Sequence, residues 1–237
     1  MSAVLTIEGL NSGYGEVQVL WGVSLQVQPG RLTTLIGANG AGKTTTLRSV
    51  MGSLRPWGGR VLFRGEDVTK LPPHRKAARG LVLVPEGRQL FPDMSVEENL
   101  EMGAYSRRAR RRQKENLARI YDLFPRLKER RKQKSATLSG GEQQMLATGR
   151  GLMQEPTVLM IDELSLGLAP VLAQQLFLTL KTLRDQGLTI VLVEQNVHLA
   201  LALSDYTYVL AEGRVTIEGE SRQVAGMDEV RRAYLGL

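Results

Sequence analysis

Short, mostly apolar runs recur along this chain, and the residues between them follow helical or turn patterns. Runs of four to eight such residues are typical of strands that are buried on both faces of a sheet. The runs are Leu32–Ile36, Leu81–Val84, Val158–Ile161 and Thr189–Val193. Strands that alternate with helices predict an α/β fold with a mainly parallel sheet, whose ligand lies at the carboxyl ends of the strands.

Other segments alternate apolar and polar residues at every second position, which indicates half-buried strands. Near the start they predict a small antiparallel sheet, formed by Leu5–Leu10, Val23–Val27 and Arg60–Arg64. Turn signals separate these strands, at Asn11–Gly15, Pro29–Gly30 and Pro56–Gly59. Near the end, Tyr208–Ala211 and Arg214–Glu218 predict a hairpin.

One long helical stretch is predicted between the second and third apolar runs. It starts at Ser95, which forms a capping-box pattern with Glu98, and it continues to about Lys134 with a break at Pro125.

The strongest chemical signal is the segment Gly37–Thr44, which we call the phosphate loop and which fits G-x-x-x-x-G-K-[ST] without a mismatch. A strand precedes it and a predicted helix, Thr45–Met51, follows it, so backbone N–H groups and the helix dipole favour an anion there. An accidental glycine-rich turn is the alternative, which this context disfavours. We expect phosphate contacts from Gly37, Asn39, Gly40, Ala41, Gly42, Lys43, Thr44 and Thr45. Lys43 would reach the outer phosphates, and the Thr44 hydroxyl would bind Mg²⁺.

A second signal is the pair of acids at the end of the third apolar run. Asp162 would lie at the strand tip near the Mg²⁺, which it holds directly or through water. Glu163 would then face the attacking water as a general base. A strand that simply runs into a helix cap is the alternative.

The third signal is Leu138–Glu142, Leu-Ser-Gly-Gly-Glu, which we call the signature segment. Two glycines before a helix-forming sequence make a second anion site, with contacts expected from Ser139, Gly140, Gly141 and Glu142. One nucleotide does not need two such sites in one chain, so a second copy could bring its own, which suggests a dimer. An ordinary capped helix, with Ser139 and Glu142 as a capping box, is the alternative.

Composition limits the class of protein. The 237 residues include 42% hydrophobic residues and no cysteine, which excludes a disulfide scaffold and thiolate metal sites. Since we find neither a membrane-length apolar run nor a signal peptide, we expect a chain that is soluble by itself.

The net charge of +7 is concentrated in one segment. Arg107–Lys134, the basic segment, holds thirteen Lys or Arg and three Asp or Glu, and the rest of the chain is slightly acidic. A solvated helical face, an anionic membrane surface and nucleic acid are the three interpretations, and no nucleic-acid reader motif supports the last.

Tyr14 lies between two glycines in the first predicted turn. Its ring could stack on a purine base, or it could be a surface aromatic that packs on its own turn.

Together, the phosphate loop, the signature segment and the Asp162–Glu163 strand resemble the motifs of the ATP-binding subunits of ABC transporters, in the same order. The resemblance covers essentially the whole chain, and the signature segment is highly specific when it occurs together with the other two motifs. It implies one ATP-binding domain over residues 1–237, with a P-loop NTPase (RecA-like) core, an antiparallel β subdomain and an α-helical subdomain at about 88–135. ATP and Mg²⁺ are the implied ligands.

A finer resemblance is to the smaller ATPase of branched-chain amino-acid importers. It rests on Val84–Arg88, Ser165–Pro170, Leu192–Asn196 and Ala233–Gly236. Subunits of urea or short-chain amide importers are similar, so the transported solute stays open.

Three positions depart from the wider ABC pattern. Glu86 stands where most members have a Gln that senses Mg²⁺ and the attacking water, Ala169 where they have Asp, and Gln195 where they have a switch His. The importer subgroup shares all three, so they do not predict inactivity. We expect Glu86 and Gln195 in the catalytic site, with Glu86 also in the metal site beside Thr44 and Asp162, and Gln195 as a neutral donor to the γ-phosphate. His198 is the alternative switch residue.

The resemblance also implies partners. These are a second ATPase subunit, identical or a paralogue, two transmembrane permease subunits and, indirectly, a solute-binding protein, with the chain on the cytoplasmic face of the inner membrane. A soluble ABC-type ATPase that acts on nucleic acid or the ribosome is the rival, but its usual long coiled coil or second cassette is missing. A phosphate-loop kinase outside the family would leave the signature segment unexplained.

Overall fold

The structure, a computed structural model, describes residues 2–230 and residue 232, so the stretch 233–236 lies outside it. The strands of the described part are β1 (Leu5–Tyr14), β2 (Val17–Val27), β3 (Leu32–Ile36), β4 (Gly58–Phe63), β5 (Glu66–Asp67), β6 (Leu81–Val84), β7 (Val158–Asp162), β8 (Thr189–Glu194), β9 (Tyr206–Ala211) and β10 (Arg214–Glu220).

The larger sheet has six strands in the order β10-β9-β3-β8-β7-β6. All neighbouring strands are parallel except the terminal pair β9 and β10, which form the predicted hairpin. The four predicted apolar strands occupy β3, β8, β7 and β6, side by side. Their carboxyl ends therefore meet along one edge of the sheet, as the sequence predicts.

The smaller sheet has four strands in the order β2-β1-β4-β5, with antiparallel pairing throughout. The predicted turn at Asn11–Gly15 is wrong in position, because β1 continues to Tyr14, which pairs with Val17. The strand continues because Ser12–Tyr14 pair with β2, and the Asn11 side chain accepts the N–H of Gly22 and donates to the carbonyl of Gly9. Because β2 pairs with this part of β1, it begins at Val17, six residues earlier than expected.

The helices are α1 (Lys43–Met51), α2 (Pro73–Ala78), α3 (Val96–Gly103), α4 (Arg107–Arg111), α5 (Gln113–Leu123), α6 (Pro125–Glu129), α7 (Gly140–Leu152), α8 (Pro170–Asp185), α9 (Val197–Leu203), α10 (Ser221–Ala225) and α11 (Asp228–Val230). Within the described residues, no helix has the length and apolar character that crossing a membrane requires.

The long helical stretch with one break is a wrong prediction, because four helices, α3 to α6, occupy it. The capping box of Ser95 and Glu98 at the start is confirmed. The chain leaves α3 after Gly103, where a Cβ atom would lie 2.1 Å from the carbonyl oxygen of Arg150. Pro125 begins α6, where its missing N–H costs no hydrogen bond.

The core lies on both faces of the larger sheet. Along β7, Val158 and Met160 pack on one side with the smaller sheet and α1, while Leu159 and Ile161 pack on the other side with α7 and α8. Each fully buried side chain of this kind contributes roughly 1.5–3 kcal/mol relative to exposure. This two-sided burial explains the unbroken apolar runs and fixes the strand ends that carry the candidate site.

Candidate active site

The phosphate loop connects β3 to α1 with backbone that only glycine can adopt at two points. Gly42 precedes the helix with φ of 103°, in the left-handed region. At Gly37 an added Cβ would lie 2.2 Å from the carbonyl oxygen of Leu210. Ala38, Asn39 and Gly40 are exposed at the tip. The loop therefore presents its backbone to solvent at a helix N-terminus, as the sequence predicts.

Lys43 is the first residue of α1, which begins two residues earlier than the sequence suggested. Its side chain is 5% exposed and curves over the loop, where the ammonium donates to the carbonyls of Gly37 (2.9 Å) and Ala38 (3.1 Å). Burial lowers the pKa of Lys43, although the nearby carboxylates, Glu163 first among them, oppose the shift. The cation thus lies between the loop and the acids at the strand ends.

The structure brings Thr44 and Asp162 together. The Thr44 hydroxyl donates to the Asp162 carboxylate at 3.1 Å, across the gap between α1 and β7. The described residues hold no cluster of three acids, His or Cys that could bind a metal ion unaided. Mg²⁺ commonly takes one or two protein oxygens and completes its shell with phosphates and water, so this pair suits it. Thr45 is buried next to the pair, and Glu86 is exposed after β6.

Glu163 follows β7 and pairs with Gln195. The Gln195 side-chain amide lies 2.7 Å from each oxygen of the Glu163 carboxylate and donates to it. The sequence did not reveal this pairing, because the expected partner of Gln195 was a phosphate. His198 lies on the exposed side of α9. Of the two candidate switch residues, Gln195 is the one that contacts Glu163.

The capping box of Ser139 and Glu142, which was the alternative interpretation of the signature segment, is present. Ser139 accepts the N–H of Glu142 (3.4 Å), and the Glu142 carboxylate accepts the N–H of Ser139 (2.9 Å). Burial alone would raise the pKa of Glu142, but these bonds and the neighbouring Arg130 hold it below its usual range. Arg130 forms an ion pair with Glu142 at 2.7 Å, a partner that sequence reasoning missed.

The glycines of the signature segment sit close to other parts of the chain. An added Cβ at Gly141 would lie 2.6 Å from a methyl group of Leu172, and one at Gly140 would lie 3.2 Å from the guanidinium of Arg88. Across the described residues, no hydrogen bond joins the signature segment to the phosphate loop of the same chain. The phosphate loop lies at the N-terminus of α1, and the signature segment lies at the N-terminus of α7.

Tyr14 ends β1, and its side chain is 44% exposed. Its hydroxyl accepts a hydrogen bond from Arg48 of α1 at 3.3 Å. This hydrogen bond links Tyr14 to the helix that follows the phosphate loop. Stacking of the ring on the base stays a prediction.

Comparison with known proteins decides the family. The family model described as ABC transporter matches residues 20–165, which run from before the phosphate loop to beyond the acid pair. The chain belongs to the ABC transporter family.

Relatives of this ABC protein match it over nearly their full length. It is 44% identical to the high-affinity branched-chain amino acid transport ATP-binding protein BraG of Pseudomonas aeruginosa, over 98% of this chain and 100% of the relative. The probable branched-chain amino acid transport ATP-binding protein LivF of Archaeoglobus fulgidus is 37% identical, over 96% of this chain and 97% of the relative.

A solved structure shares the fold. An ATP-binding cassette of an ABC transporter in its ADP conformation superposes with a TM-score of 0.85 and 29% identity, covering 100% of both chains. The expected P-loop ABC ATPase fold is confirmed, and ATP is the nucleotide that this ABC ATPase binds and hydrolyses in coupling to transport.

Replacing Gln195 in this ABC ATPase should slow hydrolysis without preventing folding. A hydrogen bond to a charged group contributes about 1.5–3 kcal/mol, so Gln195→Ala should lower kcat by roughly 10- to 150-fold if the bond acts fully in the transition state. Gln195→His should retain activity and add a pH dependence near about 6.5, where imidazole titrates. The measurement is ATPase rate against pH.

His198→Ala is the matched control for Gln195, because His198 is exposed on the next helix. It should hydrolyse ATP like the wild type. Normal turnover in Gln195→Ala together with lost activity in His198→Ala would make His198 the switch residue.

The stability of this ABC ATPase should depend on the charge of Asp162. Burial raises the pKa of Asp162 to about 6, and Glu163 and Glu86 add to the shift, while the Thr44 hydroxyl opposes it. The folded chain therefore holds the proton more tightly than the unfolded chain. The stability that the bound proton adds is fully present below the ordinary pKa of 3.8 and is lost as pH rises from there through about 6. Asp162→Asn should raise the unfolding temperature at pH 8, and the gain should shrink towards pH 5.

Thermal unfolding without added nucleotide or Mg²⁺ tests this dependence. Asp205→Asn is the control, because Asp205 accepts from Arg184 at 3.0 Å and its loss should destabilise the chain. An Asp162→Asn variant that melts below the wild type at pH 8 would contradict the expectation.

Proposed function

We propose that this chain is the ATPase subunit of an importer for branched-chain amino acids. The observation that carries the proposal is the 44% identity to BraG, which runs over 98% of the chain. The departures from the wider ABC pattern, at Glu86, Ala169 and Gln195, belong to the importer subgroup that the sequence resembles. The solute itself would never touch this chain.

Two ATPase chains would close head-to-tail around two ATP molecules. The separation of the signature segment from the phosphate loop supports this arrangement, because a second chain can bring its Ser139–Glu142 N-terminus to the nucleotide of the first. Tyr14 would stack on the base. Closure would drive two membrane subunits, fed by a solute-binding protein, and hydrolysis would reopen the pair. The chain would then lie on the cytoplasmic face of the inner membrane.

Each residue of the site has a distinct task in this proposal. The phosphate loop and Lys43 bind the phosphates, and Thr44 and Asp162 hold Mg²⁺, with Glu86 near its water shell. When bound, Mg²⁺ neutralises charge that develops on the phosphates. Glu163 removes the proton of the attacking water. Gln195 orients the Glu163 carboxylate through the two 2.7 Å contacts and can also donate to the γ-phosphate.

We place the basic segment beside the membrane subunits rather than on nucleic acid, because it holds no nucleic-acid reader motif. Acids outside the segment neutralise part of its charge, since Arg112 pairs with Glu155 (3.1 Å) and Arg130 pairs with Glu142 (2.7 Å). Arg110 and Arg111 remain on the exposed surface of α4. Exposed arginines of this kind suit anionic headgroups beside the membrane subunits.

Co-expression with the permease subunits tests the proposal. We expect the chain to co-purify with them and its ATPase rate to rise when a loaded solute-binding protein and a branched-chain amino acid are added. Stimulation by urea or a short-chain amide instead would reassign the solute. Tight, salt-sensitive binding of duplex DNA with no stimulation by any solute would favour the nucleic-acid rival.

A further inference from the structure

The backbone that carries Glu163 is held in an unfavourable conformation. Glu163 has φ of 52°, in the left-handed region that residues other than glycine, asparagine and aspartate seldom adopt. Such a conformation is strained and persists only where the surrounding structure enforces it. The residues after Glu163, Leu164–Ala169, form the linking loop to α8. What holds this loop therefore also decides where the Glu163 carboxylate points.

Glu194 is the side chain that grips the linking loop. It is the last residue of β8, 1% exposed, and it pairs in register with Ile36, immediately before the phosphate loop. One carboxylate oxygen accepts the backbone N–H of Ser165 at 2.8 Å, and the other accepts the Ser165 hydroxyl at 2.7 Å. The second oxygen also accepts the N–H of Asn196 at 3.4 Å. Both carboxylate oxygens of Glu194 therefore accept hydrogen bonds, and the residue that they hold, Ser165, lies two positions after Glu163.

The neighbours of Glu194 complete a brace across the two strands. On one side, the carbonyl of Val193 accepts the N–H of Glu163 at 2.9 Å. On the other side, Gln195 donates to the Glu163 carboxylate. Leu164, between the two anchored residues, is fully buried in the core. Three consecutive residues of one strand end therefore fix the backbone and the side chain of Glu163 and the start of the linking loop.

Burying the carboxylate of Glu194 costs free energy, because its charge is removed from water. Burial raises the pKa of Glu194, the bonds from Ser165 and Asn196 oppose the shift, and Glu163 adds to it. An apolar side chain of similar volume would pack at this position without the cost of burying a charge. What the carboxylate adds is directional: two hydrogen bonds that set the position of Ser165 relative to β8.

We propose that Glu194 is a positioning residue for ATP hydrolysis, whose carboxylate fixes Ser165 and so maintains the left-handed turn that aims Glu163. The inference rests on the proposed role of Glu163 as the base. Loss of the Glu194 carboxylate should leave nucleotide binding intact, because Glu194 meets the strand before the phosphate loop only through backbone pairing, which the substitution keeps. It should lower kcat, because misplacing a catalytic group by about 1 Å can cost up to ~10²-fold.

Three variants of the full-length protein, purified with its partner subunits, test the inference. Glu194→Leu keeps the volume and removes both acceptors, so kcat should fall by about 10- to 10²-fold while KM and the affinity for the Mg²⁺ complex of a non-hydrolysable ATP analogue stay near wild type. Glu194→Gln should restore kcat, since its amide can accept the N–H of Ser165 and donate to the Ser165 oxygen. Ser165→Ala keeps the N–H bond and should show an intermediate kcat.

Thr34→Val is the matched control. Thr34 is also buried and donates to the carbonyl of Leu192 on β8, at 3.0 Å, but it does not touch the linking loop. It should lose some thermal stability and keep kcat.

Two outcomes would overturn the inference. One is a wild-type kcat in Glu194→Leu, or in Ser165→Ala if the former does not fold. The other is a loss of kcat in Thr34→Val as large as in Glu194→Leu. Glu163→Gln is measured alongside: full activity there overturns the proposed base, whereas an inactive Glu163→Gln beside a fully active Glu194→Leu overturns the positioning role alone.

Discussion

Glu163→Gln should lower the ATP hydrolysis rate by a factor on the order of 10²–10⁴, the usual contribution of a general base. The substituted amide keeps the shape of the side chain and an oxygen that can accept from Gln195, so the turn at Glu163 should survive. Binding of ATP should persist, because the phosphate loop and Lys43 are unchanged. We therefore expect the variant to accumulate as an ATP-bound dimer that elutes earlier than the wild type in size exclusion.

Glu155→Gln is the matched control for this prediction. Glu155 has a side chain that is 17% exposed and pairs with Arg112 at 3.1 Å, and it lies before β7 begins, at the opposite end of the strand from Glu163. The same change from acid to amide should leave its hydrolysis rate near wild type. If Glu163→Gln turns over ATP normally, the base lies elsewhere.

Lys43→Met should reduce ATP hydrolysis to background. Lys43 is placed to give charge-assisted hydrogen bonds to the outer phosphates, each contributing about 1.5–3 kcal/mol. Loss of two such bonds corresponds to a fall in kcat/KM on the order of 10²–10⁴. The fold should survive, because methionine fills the space of the lysine stem. Burying the ammonium is itself unfavourable, as the lowered pKa of Lys43 indicates, so the fold does not depend on it.

A second buried lysine provides the control. Lys76 is 1% exposed and donates to the carbonyl of Val50 at 2.6 Å, near the other end of α1, and burial lowers its pKa to about 8. Lys76→Met, on α2, removes the same chemical group from a contact with the far end of α1 without touching the phosphate loop. It should keep hydrolysis. Equal activity of the two variants would remove Lys43 from the site, and unfolding of both would show that the measurement reports stability.

The sequence alone predicted the parts of the site that are built from contiguous residues. The phosphate loop, the acid pair and the signature segment were each readable because a strand, a loop and a helix start follow one another within about ten residues. Their phosphate and Mg²⁺ contacts stay predictions, but Thr44 and Asp162 lie as close together as the motifs required. The apolar runs also predicted the buried strands, since two-sided burial leaves a mark on every residue of a strand.

The tertiary structure decided the contacts between motifs. The sequence does not state that β7 and β8 are neighbours in register, with Asp162 opposite Val193. That adjacency alone brings Gln195 to Glu163 and Glu194 to Ser165, across about thirty residues of chain. The tertiary structure also decided where elements end. Strand β1 runs past Asn11 because β2 pairs with it, and α3 stops where Gly103 meets Arg150. Local patterns record the burial of a residue and the conformation of its backbone, whereas the partner of a polar side chain depends on the order in which the strands assemble.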